Sequence, residues 1–285
     1  MKNKFVIVCL IIVCQSKLIE VLSRTITDGR VISLIHKYMN AGVVSNGLFE
    51  KTEIGVPQGG PLSPLLSNIM LNELDKELEK RGHHFVRYAD DCMIFCKSRK
   101  SAERTLQNIV PFIEKKLFLK VNREKTCVAH ISKVKYLGYT FYHHKGFRFR
   151  VHPKTVEKMK KKLRELTDRN NAWSNEYRIL KLQQFIRGWV NYFKLADMKS
   201  LLRSMDEWLR HRIRAIYWKQ WKKVGTRIRK LRNLNLPEWV VLEIANCRKG
   251  IWRSALVLNQ ALTNKELAKL GYISLTGYYR QICEN

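Results

Sequence analysis

At 285 residues the chain is long enough for a large core and for two domains. Lys plus Arg number 54 against 24 Asp plus Glu, and +21 of the formal net charge of +30 falls in residues 141–285, so a polyanion is the partner this composition calls for. The cysteines at 9, 14, 92, 96, 127, 247 and 283 form no CxxC pair and have no His at zinc spacing, which excludes a structural zinc or a disulfide framework and reads as the reduced thiols of a cytoplasmic protein.

The start, "MKNKFVIVCLIIVCQ", imitates the first two regions of a secretory signal, but no small-x-small cleavage site follows before Lys17. Ten apolar residues are also too few to span a bilayer, so no membrane partner is expected, and a buried strand or a foreign translated stretch is preferred to a working export signal. Next, "TDGRVISLIHKYMNAG" sets Val31, Leu34, Ile35 and Tyr38 at helical spacing, opened by Thr27 or Asp28 and closed by Gly42. After the strand-like "GLFEKTEIGV", a long amphipathic helix is predicted from Ser63-Pro64 to Gly82, with Leu66, Ile69, Met70, Leu74 and Leu78 on one face. Two strands, "HFVRYA" and "CMIFCKS", then flank Asp90 and Asp91, and a helix over 102–116 follows. Beyond "LFLKVNREKT" and the strand "KYLGYTFY", the pattern turns helical. Leu182, Phe185, Ile186, Trp189, Val190 and Phe193 form one stripe, and Leu202, Met205, Leu209, Ile213 and Ile216 another.

The acidic pair has two readings. One is a hairpin turn, where Asp is at home. The other is a divalent-metal site, because adjacent carboxylates repel until a cation neutralises them. Mg²⁺ suits such a site, since it takes oxygen ligands and keeps waters and phosphate oxygens.

The order of four stretches favours the second. "GVPQGGPLSPLLSN", "YADD", "LFLKVNREKT" and "KYLGYTFY" follow one another as in the palm of reverse transcriptases, and the chain from about Lys17 resembles the proteins encoded by bacterial group II introns, with a helical thumb or maturase domain after the palm. The resemblance implies an α+β fold, a partial right-hand polymerase palm followed by helices. The division expected is an atypical apolar N-terminus at 1–16, palm at 17–142, linker at 143–156, thumb/maturase domain at 157–232 and a basic C-terminal region at 233–285. It implies RNA-directed DNA synthesis with Mg²⁺, two ions in an intact site, and a role in intron splicing and mobility. The partners implied are the intron RNA, a DNA target and primer, and dNTPs, with a homodimer left open.

Carried over by position, Asp90 and Asp91 match the paired metal-binding aspartates. Tyr88 matches the aromatic residue before the turn, Gln58 and Gly59 the loop beside the nucleotide, and Lys125, with Lys120 and Arg123, a contact to primer or triphosphate. In the helical half, Arg203, Arg210 and Arg214 fall on one helical face and are expected to touch RNA, with "KMKKK" at 158–162 and the tryptophans of "WKQWKK" nearby. Trp189 and Trp208, on apolar stripes, are assigned to the core. Two departures stand out. No Cys/His-rich nuclease cluster follows Gly225. Ungapped extension puts Ile11 where the family has a third metal-binding aspartate, which leaves two readings: a reverse transcriptase, or a truncated, catalytically inactive remnant that binds RNA.

Overall fold

The computed structural model describes residues 5–9, 11–12, 15–41, 43–45, 48–50, 61–124 and 126–283. It divides into two compact units, Met1–Val134 and Lys135–Asn285. The division falls ahead of the boundary expected after residue 142, because the strand of "KYLGYTFY" pairs with a following strand of the second unit.

In the first unit, β1 (Phe5–Cys9) and β2 (Ile11–Ile12) lead into α1 (Gln15–Ser23) and α2 (Gly29–Asn40). The ribbon β3 (Val43–Ser45) and β4 (Leu48–Glu50) comes next, then α3 (Ser63–Lys80), β5 (His84–Tyr88), β6 (Asp91–Cys96), α4 (Arg99–Pro111), β7 (Lys120–Val121) and β8 (Cys127–His130). The main sheet is antiparallel in the order β5-β6-β1-β8, so the apolar N-terminal run is a strand inside the sheet. Asp28 caps α2 by accepting from the Arg30 N–H at 2.8 Å. On α3, Leu66, Met70, Leu74 and Leu78 are buried at i,i+4 spacing against α1 and the sheet. Each such burial contributes roughly 1.5–3 kcal/mol. Gly82 ends this helix at φ +69°, a conformation that favours glycine.

The second unit opens with the hairpin β9 (Tyr139–His143) and β10 (Phe147–Val151). Helices follow: α5 (Pro153–Leu166), α6 (Asn175–Tyr192), α7 (Lys199–Gln220), α8 (Val224–Arg232), α9 (Glu238–Ala245), α10 (Gly250–Val257), α11 (Asn264–Lys269) and α12 (Leu275–Cys283). Both predicted stripes are core: Leu182, Ile186 and Val190 on α6, and Leu202, Met205, Leu209, Ile213 and Ile216 on α7. Gly138 sits at φ +84°, and a Cβ there would come within 2.9 Å of the Phe193 ring, so the close approach of this backbone to α6's end requires glycine. Asp206, buried on α7, accepts from the Leu275 N–H at 2.8 Å, the Thr276 N–H at 2.9 Å and the Ser274 hydroxyl at 2.7 Å. A carboxylate on α7 thereby supplies the missing acceptors for the first turn of α12. No helix among the described residues is long and apolar enough to cross a membrane.

Candidate functional site

In the first unit, Tyr88 pairs with Asp91 across the β5–β6 hairpin, which leaves Ala89 and Asp90 as its two-residue tip. So short a connection needs a left-handed residue, and Ala89 takes it at φ 52°. Without glycine's freedom that conformation costs on the order of 1 kcal/mol, and the structure shows what holds it. Arg87 donates from Nη1 to the Ala89 carbonyl at 3.0 Å and to Asn68 Oδ1 at 2.8 Å, while its Nε and Nη2 clasp Asp75 at 2.6–2.9 Å. Asn68 and Asp75 both lie on α3, so that helix fixes the turn through one guanidinium. The Arg87 and Asp75 side chains are only 13% and 19% exposed, and a bidentate pair so shielded is stronger than a surface ion pair. What is left outward is acidic and aromatic: Asp90 is exposed, Asp91 half-buried, and Tyr88 64% exposed.

The strand beside β6 is β1, in a register that puts Cys9 opposite Cys92. Ile11 belongs to a separate ribbon, where it pairs with Val121. Among the described residues, no group of three or more His, Cys, Asp or Glu side chains is placed to hold a metal ion. Two adjacent carboxylates fit one Mg²⁺, which is commonly held by one or two carboxylates and by substrate phosphates. They do not complete a site for two ions, which needs a further carboxylate. Gln58, Gly59 and Lys125 lie outside the described residues. Lys120 is exposed on β7, and Arg123 pairs with Glu114 at 2.9 Å.

In the second unit the expected arginine face comes apart. Arg203 is exposed, Arg210 half-buried and Arg214 buried, with Nε donating to the Leu262 carbonyl at 2.7 Å and Nη2 to Asn264 Oδ1 at 3.0 Å. Burial, then the neighbouring Arg210, pushes the Arg214 guanidinium down to about 10. Arg214 therefore tethers the turn before α11 and is no part of the outward face expected from helical spacing. Other arginines are used inwardly too. Arg178, 1% exposed, donates to the Asp168 carbonyl at 2.9 Å, and Arg212 donates to Thr167 Oγ1 at 2.7 Å. Trp208, Trp218 and Trp221 pack inward, Trp208 on the core as assigned. Trp218 and Trp221 are buried, with the Arg227 guanidinium 4.0 Å from the Trp218 ring centre, so neither is open for stacking. Trp208 packs on the core with Arg164 and Arg212 over its ring. Sequence reasoning missed Arg87, Asp206 and these tethers. Their one signal is a charge set into an apolar run, such as Arg87 in "FVRY" or Arg214 in "IRAI".

Comparison with known proteins meets this geometry. Residues 13–141 match the family model for reverse transcriptase (RNA-dependent DNA polymerase), and residues 156–234 match the maturase-specific domain of group II introns. The chain thus carries a reverse transcriptase match followed by a group II intron maturase match. Among curated relatives, Protein YkfC of Escherichia coli (strain K12) is 31% identical over 167 residues, 47% of this chain and 43% of that protein. The group II intron-encoded protein LtrA of Lactococcus lactis subsp. cremoris is 28% identical over 187 residues, 43% of this chain and 31% of LtrA. The chain thus spans less than half the length of these relatives. Among solved structures, apo telomerase from Candida Tropicalis is similar at TM-score 0.45 and 12% identity, over 95% of this chain and 52% of that one. Reverse transcriptases generally use divalent metal ions, and in this chain the Asp90–Asp91 hairpin lies within the reverse transcriptase match while Arg203, Arg210 and Arg214 lie within the maturase match.

Proposed function

We propose that the chain serves a group II intron as its reverse transcriptase and maturase: the helical unit holds intron RNA for splicing, and the palm unit presents a nucleic-acid end to the Asp90–Asp91 hairpin for RNA-directed DNA synthesis during mobility. The observation that carries this reading is the α3-braced turn with Asp90 at its tip and Asp91 next to it on β6, inside a reverse transcriptase match and ahead of a maturase match. In this reading Asp90 and Asp91 hold Mg²⁺, which supplies Lewis-acid stabilisation of phosphoryl transfer when bound. Tyr88 lies beside the primer end. Gln58, Gly59 and Lys125 approach template, nucleotide or primer, with dNTPs and a DNA primer or target as further partners. Arg203 and Arg210 contact RNA, and the protein works in the cytoplasm.

The incomplete metal cluster gives a second reading its footing: without a third carboxylate from outside the described residues, the chain holds intron RNA and extends no primer. Both readings keep the RNA role, so splicing tests them jointly. Added to a group II intron precursor at low Mg²⁺, the purified chain is expected to speed splicing over that of the RNA alone. An unchanged rate, with the protein folded and the RNA bound nowhere, would remove the proposal.

A further inference from the structure

The second unit holds an open groove of about 610 Å³ between α6 and the segment that runs from the end of α11 through α12. Gln183, Arg187 and Asn191 are spaced four residues apart on α6 and so share one face of that helix. The outer two are engaged across the groove: Gln183 donates to the Gly271 carbonyl at 2.7 Å, and Asn191 donates to the Tyr278 hydroxyl at 3.1 Å. Arg187 lies between them, lines the groove, and has no hydrogen-bond or ion-pair partner among the described residues. The lining includes the Tyr278 ring and the Gln281 amide and contains no carboxylate. Gly277, in the first turn of α12, lines the groove as well. A Cβ there would meet only Ser274, at 3.4 and 3.6 Å, which is ordinary contact. Packing therefore does not require glycine, and glycine is a poor helix former. What its absent side chain does is keep the groove open.

An unpartnered guanidinium, the Gln281 amide, a phenol ring and a vacant glycine floor match one nucleotide: a phosphate for Arg187, an aromatic face for Tyr278, and a polar base edge for the amide. We propose that this groove receives a single unpaired nucleotide of the bound RNA, bulged or flipped from its helix. The proposal deepens the intron-RNA reading and rests on it. A volume of several hundred Å³ suits a ligand of that size.

The test uses the full chain and two hairpin RNAs, one with a single bulged adenosine and one fully paired. The unaltered chain should bind the bulged RNA about tenfold more tightly, the order that stacking of one base supplies. Gly277→Leu, which fills the groove, and Arg187→Gln, an exposed change that spares the fold, should each remove the preference and leave affinity for the paired RNA within about twofold. No preference in the unaltered chain overturns the groove assignment alone. A preference that survives Arg187→Gln also overturns it and leaves the groove to a protein partner. Failure of the folded chain to bind either RNA overturns the intron-RNA reading beneath it.

Discussion

The palm hairpin and helix α7 both set charges into apolar surroundings, and they dispose of them in opposite ways. At the hairpin, the cation Arg87 is consumed internally by Asp75, Asn68 and the Ala89 carbonyl, and the anion Asp90 is exposed at the tip beside a half-buried Asp91. On α7, it is cations that are consumed: Arg212 and Arg214 satisfy Thr167, Asn264 and the Leu262 carbonyl, and Arg203 remains outside. In a chain of net charge +30, an arginine is thus as readily a tether as a ligand for a polyanion. What decides is whether a neighbouring loop leaves carbonyl acceptors unpaired within its reach.

Several experiments would break or sharpen that contrast. The largest effect is expected at the hairpin. In the full chain, Asp91→Asn should lower RNA-templated primer extension by more than a thousandfold, since losing a metal ligand removes charge stabilisation worth several kcal/mol. RNA affinity, measured by filter binding, should not change. Next in size, affinity of the full chain for intron RNA should fall by about a thousandfold between 50 and 200 mM salt, the signature of released counterions. A shallow slope would mean that the exposed cations of the helical unit do not face phosphate.

The tether and the ligand are then separable by one pair of variants. Arg214→Met should cost about 3 kcal/mol in chemical denaturation, because the Leu262 carbonyl and Asn264 lose buried donors. Arg203→Glu should leave stability within about 0.5 kcal/mol and weaken RNA binding several-fold. The reverse pattern would return Arg214 to the RNA face. The smallest effect belongs to Arg87→Lys, which keeps the charge but loses the fork that reaches Asp75 and the turn together; about 1–2 kcal/mol of palm stability should go. Thermal unfolding of that variant should leave the helical unit's transition in place.

The parts of this molecule legible in its sequence are those whose causes are local. Asp28, Gly82 and the α3 face at Leu66, Met70, Leu74 and Leu78 follow from capping and from a period of 3.6, and the hairpin from two short runs around an acidic tip. The stripes on α6 and α7 were readable for the same reason. Arg87, Asp206 and Arg214 were not, because each answers acceptors or donors that another element brings: Asp75 on α3, the first turn of α12, the Leu262 carbonyl. Trp218 and Trp221 looked half-available beside lysines, yet the helices after α7 fold back and bury them. The strand of "KYLGYTFY" was readable as a strand, and only its pairing with Phe147–Val151 assigns it to the second unit.

The contrast comes down to one claim: the helical unit holds RNA through its outward cations, whereas the palm offers a nucleic-acid end the carboxylates of Asp90 and Asp91, which no third metal-ligating side chain joins among the described residues. Primer extension on an RNA template by the purified 285-residue chain in Mg²⁺ tests this most directly. Extension that Asp91→Asn abolishes, so that no contaminant explains it, is the predicted result from a preparation that binds intron RNA tightly at low salt. No extension from such a preparation would contradict the polymerase half of the proposal and leave only the RNA-holding reading.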